Sequence, residues 1–241
     1  MAQFIESILD AISWNVFSAE KELKEKGGLD SLINNSQGEM IMIKIKIFSD
    51  YIWPFCYIGK GIVDKLKKEF EIEDAWVSYE LHPETPSEGI LLSERFKGHD
   101  VSKLHDQLRE RGKEYNIVFG NRTLLSNSRK ALEASEHARD MNKYESFHEN
   151  IFYAYFTDGL DIGSLDVISS AAKKSGLDAD DLLDVIKDER YKPRLASARK
   201  EGRLINLTGV PTFIINDKHR IVGAQQIDVF RDLFNNFRAD K

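Results

Sequence analysis

The 241-residue sequence is poor in cysteine, with Cys56 as its only thiol. A single cysteine excludes a disulfide within the chain and a cysteine-rich metal site. The six histidines are scattered, without an H-x-x-x-H pair or another close ligand spacing. We therefore predict no metal site.

Other absences narrow the class of protein further. The chain lacks the roughly 18 uncharged apolar residues in a row that a membrane helix needs. It also lacks a block of basic residues, because 34 Lys and Arg are interleaved with 40 Asp and Glu, for a net charge of -6. The first residues have no basic region, and Glu6 and Asp10 interrupt their apolar run, so they do not resemble a signal peptide. These features predict a soluble, cytoplasmic protein without a nucleic-acid or membrane partner.

The chain has enough apolar residues, 41% of the total, for a sizeable core. Residues 1–39 stand apart from the rest. Apolar side chains recur at helical spacing over residues 3–25, which predicts an amphipathic helix, and the Gly-, Asn- and Ser-rich residues 27–39 read mainly as a linker. We expect this N-terminal helical arm to cover a surface groove or to pair two subunits as a homodimer.

The pattern after Met40 predicts strand, helix, strand. The run IMIKIKIF alternates apolar and basic residues, which is typical of a strand. Pro54 suits the first turn of a helix that carries Ile58, Ile62 and Leu66 on one face. The run AWVSYEL at residues 75–81 has the character of a second strand.

Residues 100–202 give helical signals without a strand pattern, and include Asp178 as a predicted N-cap. A proline-led strand at residues 209–216, its hairpin partner and a last amphipathic helix follow. This order predicts an α/β protein with a thioredoxin-like fold. Residues 40–99 and 203–241 form the thioredoxin-like domain in this interpretation, and residues 100–202 form a large all-helical insertion domain.

Three local motifs carry a family resemblance over about residues 42–238. Residues 50–60, DYIWPFCYIGK, resemble the D-x-x-C-P-[WF]-C-Y-[IL]-G-K active-site segment of the DsbA-like family, which includes FrnE-type proteins and hydroxychromene-carboxylate isomerases. The second motif is GLDIG at 159–163, and the third is GVPTF at 209–213 followed by GAQ at 223–225; both are similar to other elements of that family.

The resemblance implies a thiol site at the start of the first helix, where the helix dipole favours a thiolate. Trp53 stands where the family has its first, exposed cysteine, and Cys56 matches the second. We expect Cys56 to be the catalytic residue in monothiol chemistry, with an external thiol such as glutathione resolving the mixed disulfide. The alternative is that Cys56 is a buried, small apolar residue.

The family also implies ligand contacts. Trp53 is either a surface that stacks a planar ligand or an aromatic plug, with Pro54 and Phe55 beside it. Pro211 is expected to be cis, and Val210 before it would offer its backbone to an extended ligand, with Thr212 and Gln225 nearby. Weaker candidates are His82, Asn127, Ser128, Tyr153, Tyr155 and Phe156, for which capping, surface or core roles are the expectation.

Three functions remain open at this point. The first is a DsbA/FrnE-like thiol-disulfide oxidoreductase homologue limited to monothiol chemistry. The second is a glutathione-dependent isomerase or transferase of the kappa-class or hydroxychromene-carboxylate isomerase type. The third is a non-catalytic ligand-binding homologue. The predicted substrate is a small thiol, or a peptide or small molecule that contains a thiol. We expect no covalently bound cofactor, and glutathione is the candidate for a cofactor that binds without a covalent bond.

Overall fold

A four-stranded mixed sheet lies at the centre of the computed structural model, which describes residues 42–98 and 101–239. Its strands run in the order β2-β1-β5-β6. β1 pairs with β2 in parallel and with β5 antiparallel, and β5 and β6 form an antiparallel hairpin. The strands are β1 Ile43–Ser49, β2 Ile72–Ser78, β5 Thr212–Ile215 and β6 His219–Val222, and a separate pair consists of β3 Ile90–Leu91 and β4 Leu124–Leu125.

Helices separate and follow these strands. They are α1 Pro54–Leu66, α2 Leu92–Arg95, α3 Ser102–Lys113, α4 Arg129–Asp140, α5 Tyr144–Phe152, α6 Leu165–Lys174, α7 Ala179–Lys187, α8 Lys192–Leu204 and α9 Ile227–Ala239. A π-helix, Tyr153–Thr157, continues α5. No helix in the described part of the chain is long and apolar enough to span a membrane.

The alternating pattern of β1 gives the sheet two different faces, and helices pack on both. Ile43, Ile45 and Ile47 are buried on one face, while Lys44 and Lys46 project from the other. α1 and α9 pack on the first face, where the rings of Phe213 and Phe230 lie 5.0 Å apart. α8 packs on the second, where Lys46 Nζ lies 2.9 Å from Glu201 Oε1.

A glycine sets the distance between α1 and β5. A Cβ atom on Gly59 would lie 3.2 Å from Cγ of Pro211 and 3.1 Å from Cζ of Phe213. The absence of a side chain at residue 59 therefore lets α1 lie directly against the beginning of β5. This contact fixes Pro211 beside the helix that carries Cys56.

The predicted connectivity of the thioredoxin-like part is confirmed, with corrections of detail. The second strand covers residues 72–78 instead of 75–81, and the predicted N-cap at Asp178 accepts hydrogen bonds from the backbone of Asp180 and Asp181. The helical block is not free of strands, because β4 lies inside it and pairs with β3 before residue 100. Two-residue strands have no periodicity to detect. The arm at residues 1–39, with its predicted dimer contact, lies outside the described residues.

Candidate functional site

The site predicted from sequence begins where β1 ends and α1 starts. Trp53 is the N-cap of α1, and its carbonyl accepts a hydrogen bond from the backbone N–H of Cys56 at 2.9 Å. Pro54 follows in the first turn and has no N–H to leave unpaired. Among the described residues no hydrogen bond uses the N–H of Phe55. One donor at the positive end of the helix dipole therefore stays available.

The sulfur of Cys56 is completely buried, with 0% of the residue exposed. Burial raises the pKa of this thiol to about 12, against the opposing influence of the Ser49 hydroxyl and the Asp50 backbone. At neutral pH the thiol is therefore protonated and shielded from solvent. Of the two roles predicted for Cys56, a packed apolar residue agrees better with this environment.

Trp53 fills a crevice between the start of α1 and the segment that contains α2 and α3. It is only 6% exposed, and its ring lies 6.1 Å from that of Phe55. A cavity of about 20 Å³ remains in this crevice. Its polar lining residues are His105 and Arg122, and its apolar ones are Ile52, Trp53, Pro54, Leu92, Phe96, Val101, Leu104 and Leu125. Trp53 thus acts as a plug, and a ligand would meet only its remaining edge.

The loop before β5 lies on the other side of α1. Its Val210–Pro211 peptide bond is cis, and both residues are buried. The carbonyl of Pro211 accepts a hydrogen bond from Gly223 N–H at 2.8 Å, and the Thr212 hydroxyl donates to Gly209 O at 2.7 Å. In contrast, no hydrogen bond within the described residues uses the backbone N–H or C=O of Val210. Val210 therefore has a free donor and a free acceptor beside α1.

The predicted ligand residues fall into two separate groups. Trp53 and Pro54 line the apolar crevice, whereas Val210, Pro211, Thr212 and Gln225 do not. Gln225 donates its side-chain amide to Val222 O at 2.8 Å, which leaves the amide oxygen available. α3 reaches both groups, because its Leu104 and His105 line the crevice and its Arg111 guanidinium donates to Ala224 O.

Asp50 is a polar residue of the site that appears in the sequence only as the first residue of the active-site motif. Its carboxylate is fully buried and accepts hydrogen bonds from Leu81 N–H at 2.7 Å and Ile52 N–H at 3.3 Å. Burial raises the pKa of Asp50 to about 7, although these bonds and the Ser128 side chain act to lower it. The sequence does offer one indication of a role for Asp50, which is that it is the first residue of the active-site motif.

The weaker candidates from the sequence have capping, hydrogen-bonded or buried positions in the fold, with Tyr153 as the exposed exception. Ser128 is the N-cap of α4 without a side-chain capping bond, while Asn127 accepts a hydrogen bond from Arg129 N–H at 3.0 Å. His82 lies 2.9 Å from a carboxylate oxygen of Glu84. Tyr155 and Phe156 are buried in the aromatic core as expected, and Tyr153 is 45% exposed. The described residues contain no group of three His, Cys, Asp or Glu that could hold a metal ion.

Comparison with known proteins agrees with this architecture. The chain is 28% identical over 201 residues to the uncharacterized protein YwbO of Bacillus subtilis (strain 168), an alignment that covers 83% of this chain and 99% of YwbO. The fold is similar to that of a probable DsbA oxidoreductase from Streptomyces coelicolor, with a TM-score of 0.73, 20% identity and coverage of 83% and 91%. It is also similar to the cytosolic disulfide reductase DsbM of Pseudomonas aeruginosa with GSH, with a TM-score of 0.60, 13% identity and coverage of 80% and 98%.

The family assignment rests on a match over most of the chain. Residues 44–235 match the model of the DSBA-like thioredoxin domain. This range includes the central sheet except for Ile43, together with α1 and Cys56, the helical block and most of α9. The chain belongs to the family of DSBA-like thioredoxin-domain proteins.

Proposed function

We propose that this DsbA-like protein binds a small peptide thiol of the glutathione type beside α1, and that the ligand supplies the reacting sulfur. The observation that carries the proposal is the burial of Cys56, the only sulfur nucleophile in the chain. A thiol with 0% exposure and a pKa raised to about 12 does not attack an external substrate at neutral pH. The function is then that of a glutathione-dependent isomerase or transferase.

The free backbone groups beside α1 suit such a ligand. The N–H and C=O of Val210 can pair with the backbone of an extended peptide, as an edge strand does. The free N–H of Phe55 and the positive end of the α1 dipole favour a thiolate placed at the helix start. A structural neighbour, the disulfide reductase DsbM, is described with GSH, which supports a peptide thiol as the ligand.

The reaction needs no oxidant. The bound thiol loses its proton to solvent, and the thiolate donates an electron pair to an electrophilic carbon of the second substrate to form a C–S bond. In a transferase this bond remains and the leaving group departs with its electron pair. In an isomerase the C–S bond breaks again after the rearrangement, and the thiolate is released unchanged.

Monothiol exchange at Cys56 is the second candidate. Its position in the first turn of α1, together with the Ser49 and Asp50 interactions that lower the thiol pKa, favours it. The Cys56 thiolate would attack a substrate disulfide, forming a mixed disulfide and releasing the other substrate sulfur as a thiolate. The thiolate of glutathione would then attack the substrate sulfur of the mixed disulfide. A substrate–glutathione disulfide forms, and Cys56 leaves as a thiolate that takes up a proton. This route requires the start of α1 to open.

Calorimetry with reduced glutathione separates these functions. We expect saturable binding to the full chain and unchanged affinity in Cys56→Ala. Absence of binding at millimolar concentration contradicts the proposal. If the wild type reduces insulin and Cys56→Ala does not, the function is monothiol exchange instead. Ligand binding without turnover of any electrophile identifies the non-catalytic alternative.

A further inference from the structure

A polar groove lies at the edge of the central sheet, apart from the apolar crevice beside Trp53. It encloses a volume of about 230 Å³, and its lining residues differ from those of the crevice. Its floor is β2, which is an outer strand of the sheet, and its walls are α4 and α8. The groove is therefore a separate cavity with room for a small ligand.

Ion pairs near both ends of α4 hold the two walls of this groove in place. At the end of α4, Asp140 accepts two hydrogen bonds of 2.9 Å from Arg194 of α8. At its start, Arg129 contacts the buried carboxylate of Glu80 at 2.9 Å, and Arg199 of α8 contacts the same carboxylate at 3.0 Å. The space between the helices is therefore fixed by the protein's own contacts.

The floor of the groove is the unpaired edge of β2. The N–H of Tyr79, just after β2, donates to Ser49 O of β1 at 2.9 Å. Backbone groups of alternate residues point to opposite edges of a strand, so those of Ser78 and Trp76 point away from β1. In agreement, Trp76 O accepts a hydrogen bond from Arg139 of α4 at 2.6 Å. No loop or helix within the described residues gives a partner to the backbone N–H and C=O of Ser78.

Basic and acidic side chains lie at different positions along the groove. Arg194, Ser197 and Glu201 line it from one face of α8, and the first and last of these are about 10 Å apart along the helix axis. Arg139 of α4 lies near Arg194, because both guanidinium groups are 3.5 Å from Oε2 of Glu136. The groove thus has two arginines toward one end and Glu201 toward the other.

Arg139 and Glu201 both have capacity for a further partner. The only carboxylate that Arg139 contacts in the described part of the chain is that of Glu136, at 3.5 Å. The ring of Tyr144, 4.0 Å away, positions this guanidinium, which carries five N–H donors. Glu201 contacts Lys46 through Oε1 at 2.9 Å, and no ion pair or hydrogen bond within the described residues uses its Oε2. Arg139 can therefore bind a carboxylate, and Glu201 an ammonium group.

We propose that this groove binds a short peptide of two or three residues with free termini. The backbone of Ser78 pairs with the backbone of the peptide, as when a strand adds to the edge of a sheet. Arg139 binds the terminal carboxylate, and Glu201 binds the terminal ammonium group. Two or three extended residues span about 7 to 10 Å, which suits the spacing of the charges along α8. The proposal does not depend on the proposed function, because the groove is separate from the crevice and from Cys56.

Calorimetry on the full chain with trialanine, its C-terminal amide and its N-acetyl form tests the recognition of the termini. We expect saturable binding of trialanine, and binding of the two blocked forms that is weaker by about tenfold or more, as for the loss of hydrogen bonds to charged groups. Arg139→Met should weaken trialanine and leave the affinity for the amide unchanged. Glu201→Gln should weaken trialanine and leave the affinity for the N-acetyl form unchanged.

Ser197→Trp tests the location without removing an ion pair, because Ser197 is an exposed residue of α8 that lines the groove. The indole should fill the groove and abolish trialanine binding. Ala196→Trp is the matched control, since Ala196 is also exposed and is not a lining residue. It should bind trialanine as the wild type does, and both variants should unfold in urea like the wild type.

Three results would overturn this proposal. The first is the absence of trialanine binding to the wild type at millimolar concentration. The second is equal trialanine affinity of Ser197→Trp and the wild type, which would place the peptide elsewhere. The third is equal affinity of the wild type for trialanine and its two blocked forms, which would show that the termini are not recognised.

Discussion

The hydroxyl of Tyr51 lies 2.9 Å from Nδ1 of His148, which joins the active-site segment to helix α5. Tyr144 places a second hydroxyl 3.2 Å from the same nitrogen. The imidazole is packed among aromatic rings, with Trp76 at 4.6 Å and Phe152 at 4.8 Å between centroids. A neutral imidazole that is hydrogen-bonded to tyrosine therefore holds the residues before Trp53 against the helical block.

We predict that His148 makes the protein less stable in acid. Burial and the charges of Lys60, Arg139 and Lys67 lower the pKa of His148 well below its usual value. The unfolded chain, with a His pKa of about 6.5, then binds more protons than the folded chain. Stability is complete above about pH 6.5 and falls as pH decreases toward the folded pKa. Urea unfolding between pH 5 and 8 should show a shallower acid slope for His148→Gln.

The control for this slope is His219→Gln, because His219 is exposed. It should leave the pH dependence of unfolding as in the wild type. Identical slopes in His148→Gln and the wild type would show that His148 is protonated equally in both states.

Asp50 should have the opposite effect on the pH dependence. Its folded pKa of about 7 lies above the usual 3.8, so the folded chain binds more protons between these values. The stability that this group contributes is complete below about pH 4 and is lost as pH rises through about 7. Asp50→Asn removes the titration, so its unfolding free energy should decline less from pH 5 to 8 than that of the wild type. Infrared titration of the carboxyl band, with Asp50→Asn as the reference, measures the same pKa directly.

The sequence was sufficient to predict the fold. Alternation in β1 and the helical face of α1 are local patterns, and both elements were found within a few residues of their predicted bounds. β3 and β4 were missed because two residues cannot show a period. The burial of Trp53 was not evident either, since the α2 and α3 side chains that cover it lie about 40 to 50 residues further along the chain.

Arg111 could not be selected from the sequence, because the residue to which it donates a hydrogen bond is distant along the chain. Its contact with Ala224 joins residues 113 positions apart, and an arginine in a charged helix ordinarily faces solvent. Asp50 is a similar case. In the sequence it is only the first residue of the active-site motif, and its full burial with a hydrogen bond from Leu81 N–H makes its ionisation distinctive.

Gly59→Ala tests the close contact between α1 and the cis-proline loop. The new methyl group would lie 3.1 Å from Phe213 and 3.2 Å from Pro211, which is tighter than ordinary packing. Overpacking of this kind costs about 1–3 kcal/mol. We expect this loss in urea unfolding, together with weaker glutathione binding, because the loop that carries Val210 has to shift. Gly209→Ala is the control, since a Cβ atom there meets no other atom within 4 Å.

Trp53→Cys should restore a two-cysteine site. The new thiol at residue 53 and Cys56 would have the i, i+3 spacing of the family motif across the first turn of α1. The substitution also removes the plug from the apolar crevice, at a cost of about 3 kcal/mol in unfolding free energy, near the lower end of the range for tryptophan truncations. We expect insulin reduction to appear in Trp53→Cys and to be absent from both the wild type and Trp53→Cys/Cys56→Ala. Equal activity of the single and double variants would show that Cys56 cannot resolve a mixed disulfide, even with an attacking thiol in place. Activity of the single variant alone would show that the scaffold keeps dithiol geometry, and that Trp53 is what separates this protein from the exchange chemistry of its family.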